Sequence, residues 1–209
     1  MDSVLALYWA ARQGHGVNTL LTLEGFSPGN GFRQVGPRVA ESAARSLRLS
    51  WTPIRLNGDP QSEALELSRV LSDLRRVHGL EGIVAGYRSH SAAASKLSFI
   101  CQTNGLALLL PLEGLPAPKV LWTLLEKGYS VLPMQVRSNN GARDLLGNEL
   151  DNGQLNRVRG LSSDAFPILS TIVTGGPGFG QKIRVREPNP VWNGEWGELQ
   201  IAGVDLVSK

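Results

Sequence analysis

The dipeptide Asp2-Ser3 is the first pair of residues whose chemistry could serve a function. It precedes an apolar helical pattern, so we expect it at the beginning of a helix. An Asp or Ser in that place usually caps the helix by accepting from an early backbone N–H, which contributes about 1 kcal/mol. The same helix end presents free N–H groups and a positive dipole to an anion, which makes a phosphate site the alternative. Spacing alone favours capping.

Further candidates lie after the predicted strands. Arg88 and His90 follow a short apolar run, at the edge where parallel sheets bind their ligands. Cys101 is predicted to be a buried helix residue, because no activating base is evident beside it. The three histidines are too widely spaced to predict a metal site. The glycine-rich run 175–180 follows a strand but opens no convincing helix, which favours a turn over a phosphate loop.

The elements that must position these residues alternate between helix and strand. Helices are predicted at 3–12, 37–47, 61–77 and 91–103, and strands at 17–23, 51–56, 82–86 and 106–110. Strands separated by single helices indicate βαβ units, and therefore a parallel sheet with right-handed crossovers. We expect a doubly wound α/β sheet. Such sheets usually begin with a strand, whereas this pattern begins with a helix.

After Pro111 the pattern changes. A helix is predicted at 116–127, a strand at 129–137, helical pieces at 143–159, and strands at 168–174, 182–187 and 198–204. Trp192 and Trp196 are interpreted as packing around a hairpin. We therefore expect one domain over residues 1–114 and a smaller α+β domain over residues 115–209.

Composition excludes several classes of protein. The chain has 209 residues, of which 42% are apolar and 19% charged, so it can bury a core. One cysteine cannot form an intramolecular disulfide, and no apolar run is long enough to span a membrane. The 21 basic residues are scattered among 18 acidic ones, which disfavours nucleic acid as a partner. No secretory signal is recognisable, so we expect a cytoplasmic protein without a membrane partner.

Several segments together resemble one family. Met1–Tyr8, Gly14–Val17 and Leu20–Leu23 look like the beginning of an N-type ATP pyrophosphatase of the PP-loop class, and most closely of the diphthine–ammonia ligase family. Members carry Ser-Gly-Gly-Lys-Asp-Ser between a first strand and a first helix. The likeness continues over nearly the whole chain, at Arg38–Leu49, Gly82–Gly86, Cys101, Gly105–Leu112, Leu124–Tyr129, Leu146-Gly147, Leu150-Asp151, Gly176-Pro177 and Phe179.

The resemblance implies a fold and a reaction. The fold would be Rossmann-like, of the adenine nucleotide alpha hydrolase type, with ATP and Mg²⁺ at the carboxyl ends of the strands. The activity would be an ATP-dependent, amide-forming ligase of diphthamide biosynthesis: a carboxylate attacks the α-phosphate, pyrophosphate leaves, and ammonia displaces AMP. Backbone N–H groups and a cation would stabilise the developing charge. The implied protein substrate is elongation factor two, which carries diphthine.

The resemblance also implies roles for individual residues. Asp2 and Ser3 would lie at the pyrophosphate, with Asp2 also a Mg²⁺ ligand. The remaining cofactor-binding positions would be Thr22 and Leu23 near the adenine, and Gly86 and Tyr87 at the floor of the cleft. Four further residues are expected to bind the substrate: Arg88 and His90 from their place after the strand 82–86, and Gly176 and Pro177 because the family has an equivalent Gly-Pro turn in its second domain.

This chain departs from the family pattern at identifiable places. The Ser-Gly-Gly before Asp2 and the preceding strand are missing from the sequence, and Gly86-Tyr87-Arg88 stands where members have Gly-Asp-Ile. Pro111-Leu112-Glu113 replaces Pro-Leu-Trp, and 165–171 lacks the family's two glutamates and histidine. One explanation is that Met1 is an internal methionine preceded by a strand and the rest of the loop. The rival is a short chain that has lost phosphate binding.

These departures leave alternative functions open. One is a catalytically degenerate nucleotide-binding or interaction protein with the same fold. Another is a ligase for a different carboxylate, held by Arg33, Arg88 or Arg137. The oligomeric state is also open, with a homodimer compatible with the sequence.

Overall fold

The computed structural model describes residues 1–24, 37–56, 59–138, 142–160 and 166–209. The chain divides into two compact units. The first, called the N-terminal unit, comprises residues 2–40 and 50–114, and the second, called the C-terminal unit, comprises residues 1, 41–49 and 115–209. The predicted roles of 1–114 as a nucleotide domain and 115–209 as a substrate domain stay predictions.

The N-terminal unit consists of helices that alternate with short parallel strands. In chain order these are α1 (Asp2–Arg12), β1 (Thr19–Glu24), α2 (Pro37–Leu47), β2 (Ser50–Arg55), α3 (Pro60–His78), β3 (Gly82–Val84), α4 (Ala92–Thr103) and β4 (Ala107–Leu109). The second half of α2 is part of the other unit. The helices and strands predicted for this unit are confirmed to within a few residues at their ends.

Local sequence explains where the two longest helices of this unit begin and end. The carboxylate of Asp59 accepts from the backbone N–H groups of Gln61 and Ser62, at 2.9 and 3.2 Å. Gly79 ends α3 in the left-handed conformation with φ of 63°, which glycine adopts without steric cost. Ser91 caps α4 by accepting from the N–H of Ala94 at 3.2 Å. These caps satisfy backbone groups that a helix end leaves without partners.

The described strands of the N-terminal unit form two parallel pairs. β1 lies beside β2, and β3 lies beside β4, each pair joined through one helix as the βαβ pattern predicts. No ladder joins the two pairs within the described residues. The class is therefore α/β with parallel strands, and a single doubly wound sheet stays a prediction.

Both strand pairs nevertheless contribute to the same core. Leu67 and Leu71 of α3 and Leu97 and Ile100 of α4 are buried against side chains from all four strands, namely Leu21, Leu23, Ile54, Ile83 and Leu108. Cys101 is buried in the same cluster, as predicted. The four strands therefore lie beneath one layer of helices.

The C-terminal unit is dominated by antiparallel sheet. Its elements are α5 (Ala117–Glu126), β5 (Ser130–Arg137), short 3₁₀ turns at Ala142–Leu145 and Asn152–Gln154, α6 (Leu155–Arg159), β6 (Ile168–Gly175), β7 (Lys182–Arg186), β8 (Asn189–Trp192), β9 (Trp196–Gln200) and β10 (Gly203–Val207). One sheet has the order β6-β5-β9-β8, and β7 pairs with β10. The hairpin around Trp192 and Trp196 is confirmed.

One strand prediction in this unit is wrong. The run 198–204 was expected to form a single strand, but β9 ends at Gln200 and β10 begins at Gly203. The two halves pair with different partners, because β9 lies between β5 and β8 while β10 lies against β7. The connecting Ala202 donates its N–H to the carbonyl of Arg186 at 3.1 Å. Alternation along one run cannot reveal such a change of partner.

Candidate functional site

The beginning of α1 lies directly against Gly86, just beyond the carboxyl end of β3. A Cβ atom added to Gly86 would lie 2.6 Å from the carbonyl carbon of Asp2 and 2.7 Å from the nitrogen of Ser3. Real side chains do not tolerate such distances, so only glycine allows this approach of backbone to helix end. The first turn of α1 has N–H groups without helical acceptors, and they lie beside this glycine.

Arg88 and Asp2 form an ion pair at the same place. The Nε atom of Arg88 donates to Oδ2 of Asp2 at 2.9 Å, and each side chain is about one third exposed. The other carboxylate oxygen of Asp2, Oδ1, is buried and has no hydrogen-bond partner among the described residues. The structure thus brings together four predicted site residues, which are Asp2, Ser3, Gly86 and Arg88. It also shows a pairing between two of them that spacing could not reveal.

Three of the predicted cofactor-binding residues, Thr22, Leu23 and Tyr87, are engaged in packing. Thr22 is buried, and its hydroxyl accepts from Nε1 of Trp51 at 3.1 Å. Leu23 and Tyr87 pack against the core cluster beneath α3 and α4. Burial raises the pKa of Tyr87 to about 12, because the phenolate would lose its hydration. The phenol is therefore neutral at physiological pH, and a nucleotide-binding role for these three residues stays a prediction.

His90 lies at the solvent edge of the N-terminal unit. Its Nε2 atom is 2.7 Å from Oε1 of Glu113, a partner that sequence reasoning missed. The imidazole is largely exposed, so the pair contributes little to stability. His90 also lines an open cavity of about 360 Å³ along α4, together with Ser95, Ser98 and Phe99. The contact of His90 with substrate stays a prediction.

Gly176 and Pro177 belong to the other unit, in the connection from β6 to β7. Gly176 has a φ of 143°, and a Cβ added there would lie 2.3 Å from the ring of Tyr129. Because a strand rather than a helix follows, the run 175–180 is a turn and not a helix-opening phosphate loop, as predicted. The predicted substrate role of Gly176 and Pro177 stays a prediction.

A cluster in the C-terminal unit was not foreseen. The carboxylate of Glu149 accepts from the hydroxyl of Thr174 and from the ammonium of Lys182. Thr174 is buried, whereas the two charged side chains are partly exposed. Glu149 lies 25 residues before Thr174 and 33 before Lys182, so no local signal could have found the cluster. Because the carboxylate of Glu149 accepts from both other side chains, we interpret the cluster as a structural ion pair that holds β6 and β7 to the segment before Leu150.

The arginines considered for an alternative carboxylate do not form one group among the described residues. Arg33 lies outside the described residues. Arg137 ends β5, in register with Trp196 of β9 and exposed to solvent. It belongs to the C-terminal unit, whereas Arg88 belongs to the N-terminal one.

Two kinds of feature are absent from the described ranges. No group of three or more His, Cys, Asp or Glu side chains there could hold a metal ion. No helix in the same ranges has both the length and the apolar character needed to cross a membrane.

Comparison with known proteins adds little to this site. No protein-family model matches the chain, and no curated protein matches it either. A solved structure from Methanocaldococcus jannaschii, described as a predicted subunit of tRNA methyltransferase, is 17% identical and has a TM-score of 0.40. The match covers 84% of this chain and 92% of that chain. A similarity of this degree carries no assignment of fold or function.

Proposed function

We propose that the N-terminal unit binds the phosphate groups of an adenine nucleotide where α1 meets Gly86. The observation that carries the proposal is the close approach of Gly86 to Asp2 and Ser3, with the Arg88 cation beside them. A helix N-terminus and a guanidinium are complementary to a phosphate oxyanion. The site also lies beyond the carboxyl end of a parallel strand, where such folds bind ligands.

The finer proposal is an ATP-dependent, amide-forming ligase resembling diphthine–ammonia ligase, acting in the cytoplasm on a carboxylate such as that of elongation factor two. ATP bound with Mg²⁺ would supply an activated phosphoryl centre for the carboxylate. The first turn of α1 would hold the pyrophosphate portion, and Arg88 would orient it. The buried Oδ1 of Asp2, which has no partner among the described residues, is an oxygen of the kind that Mg²⁺ prefers.

A specific observation favours the second candidate, a degenerate nucleotide-binding protein. The Nε atom of Arg88 donates to Oδ2 of Asp2 at 2.9 Å, so one oxygen of the candidate metal-binding carboxylate is already paired with a cation. In this alternative the ion pair stabilises the site, and nucleotide binds without reacting. The two candidates share the same binding geometry and differ in whether pyrophosphate is released.

Binding is tested first, by isothermal titration calorimetry with ATP and Mg²⁺. Replacing a charge-assisted contact costs about 1.5–3 kcal/mol, so Arg88→Gln should weaken binding roughly 10-fold or more. Arg76→Gln is the matched control, because Arg76 is an exposed arginine paired with Asp73 on α3 of the same unit. Equal affinities of the two variants, or no ATP binding by the unaltered protein, would exclude this site.

Catalysis is tested separately, by pyrophosphate release in the presence of ammonia and diphthine-bearing elongation factor two. The ligase predicts release that is strongly reduced in Asp2→Asn. ATP binding without release supports the degenerate protein instead. Release that Asp2→Asn leaves unchanged contradicts the role given to Asp2.

A further inference from the structure

The sheet β6-β5-β9-β8 of the C-terminal unit has one buried face and one exposed face near its β8–β9 hairpin. Val136 of β5 and Gly197 and Leu199 of β9 are buried, and strand alternation places them on the same face. The positions that alternate with them form the opposite face, called the open face, which consists of Gln135, Arg137, Val191, Trp196 and Glu198. Val191 and Trp196 are 41% and 37% exposed, so the open face presents two large apolar side chains to solvent.

Four residues of the open face form a square made of two cross-strand pairs. Arg137 lies opposite Trp196, and Gln135 lies opposite Glu198. Residues directly opposite one another on antiparallel strands have Cβ atoms about 4.5–5.5 Å apart. Because the two pairs are two residues apart along each strand, Arg137 and Glu198 occupy one diagonal of the square. Trp196 and Gln135 occupy the other diagonal.

The two charged side chains of this square are unpaired in the part of the chain that the structure describes. None of the ion pairs found there involves the guanidinium of Arg137 or the carboxylate of Glu198. Both residues are exposed. The open face therefore carries one cation and one anion beside a tryptophan, and both charges are available to a partner.

We propose that the open face binds the open face of a second copy of this chain, related to the first by a two-fold axis. A two-fold interface is reciprocal: if one residue contacts another across it, the second also contacts the first. An axis along the diagonal from Trp196 to Gln135 places Arg137 of each copy against Glu198 of the other. The same two charges thus form two ion pairs across the interface.

The residues on the axis are also suited to pairing with themselves. Two tryptophan rings attract one another in stacked or edge-to-face arrangements, so Trp196 can pack on its own copy. The side-chain amide of Gln135 has both a donor and an acceptor, so two copies can hydrogen bond to each other. A partner with charge of a single sign would meet one opposite and one like charge on this square. Charge complementarity therefore favours a second copy over such a partner.

The size of the open face indicates a weak dimer. Its five residues are fewer than the roughly 20–30 that each partner contributes to a standard interface. Interfaces that bury less than about 1,200 Å² in total are typical of transient complexes. We therefore expect a dissociation constant between about 10 μM and 1 mM.

The first test is sedimentation velocity of the full chain at concentrations from about 1 μM to 1 mM, a range chosen to bracket the expected dissociation constant. The fraction of dimer should rise with protein concentration and fall at high salt, because exposed ion pairs are screened. A monomer over the whole range overturns the proposal. The assay contains no nucleotide, so its result is independent of the proposed phosphate site.

The second test exchanges the two charges. Arg137→Glu alone, or Glu198→Arg alone, brings like charges together at both symmetry-related contacts, so each should weaken dimerisation at least about 10-fold. The two substitutions combined restore opposite charges and should restore the affinity. Lys119→Glu is the control, because Lys119 is exposed on α5 of the same unit and the change of charge equals that of Arg137→Glu.

Three outcomes of the exchange overturn the proposal. The first is that the single variants dimerise as strongly as the unaltered protein. The second is that the combined variant stays as weak as the single ones, since the two charges would then not contact each other. The third is that Lys119→Glu weakens dimerisation as much as Arg137→Glu, because net charge and not a contact would then explain the effect.

Discussion

The substitution Gly86→Ala tests the contact on which the candidate site depends. A Cβ atom at this position would lie 2.6 Å from the carbonyl carbon of Asp2, 2.7 Å from the nitrogen of Ser3 and 2.9 Å from the carbonyl oxygen of Asp2. All three atoms are backbone, so no side-chain rotation can relieve the overlap. Ordinary contact would require the first turn of α1 to move by roughly 1 Å, at the cost of about 1–3 kcal/mol typical of overpacking.

The matched control is Gly16→Ala in the same unit. No atom lies within 4 Å of a Cβ added to Gly16, and its φ is not positive. Alanine there should be neutral or stabilise the protein by up to about 1 kcal/mol, because it restricts the unfolded chain. Urea unfolding followed by circular dichroism measures both variants, and Gly86→Ala should show the lower midpoint. Equal midpoints would refute the argument that α1 and Gly86 are in backbone contact.

The same pair of variants has a functional readout. Displacing α1 by roughly 1 Å lengthens each hydrogen bond from its N–H groups to a bound phosphate, and such bonds weaken steeply with distance. Under the proposed function, Gly86→Ala should therefore lose ATP affinity as well as stability. Gly16→Ala should keep the affinity of the unaltered protein.

Three further predictions concern packing and titration. Burial raises the pKa of Cys101 from 9.0 to about 11, so folding favours the protonated thiol. The free energy of unfolding should therefore fall as the pH rises from 9.0 to about 11, and Cys101→Ala should remove this pH dependence. Gly176→Ala, whose Cβ would overlap the ring of Tyr129, should lower the melting temperature, whereas Gly175→Ala, with only ordinary contacts, should not. Glu149→Ala should cost about 0.5–1.5 kcal/mol in urea unfolding, because it removes one of the two acceptors of the buried Thr174 hydroxyl, which keeps the carbonyl of Ser130 at 3.2 Å.

Local pattern was sufficient for most elements of the fold. The repeat of apolar residues at helical spacing placed a helix at 61–77, and the structure has α3 at Pro60–His78. Parallel pairing followed from the βαβ order, because crossovers of helical length join parallel strands. The run 198–204 was mispredicted because contacts with distant segments determine which strand each half pairs with, and the alternation of the run does not show these contacts.

The candidate site shows the same division. The residue types at the beginning of α1 and after β3 can be read along the chain, and Asp2 and Arg88 were each singled out there. Their pairing at 2.9 Å and the position of Gly86 against the helix end emerge only in the fold. Side-chain periodicity reflects burial along one element, whereas ion pairs and strand ladders depend on how distant segments meet.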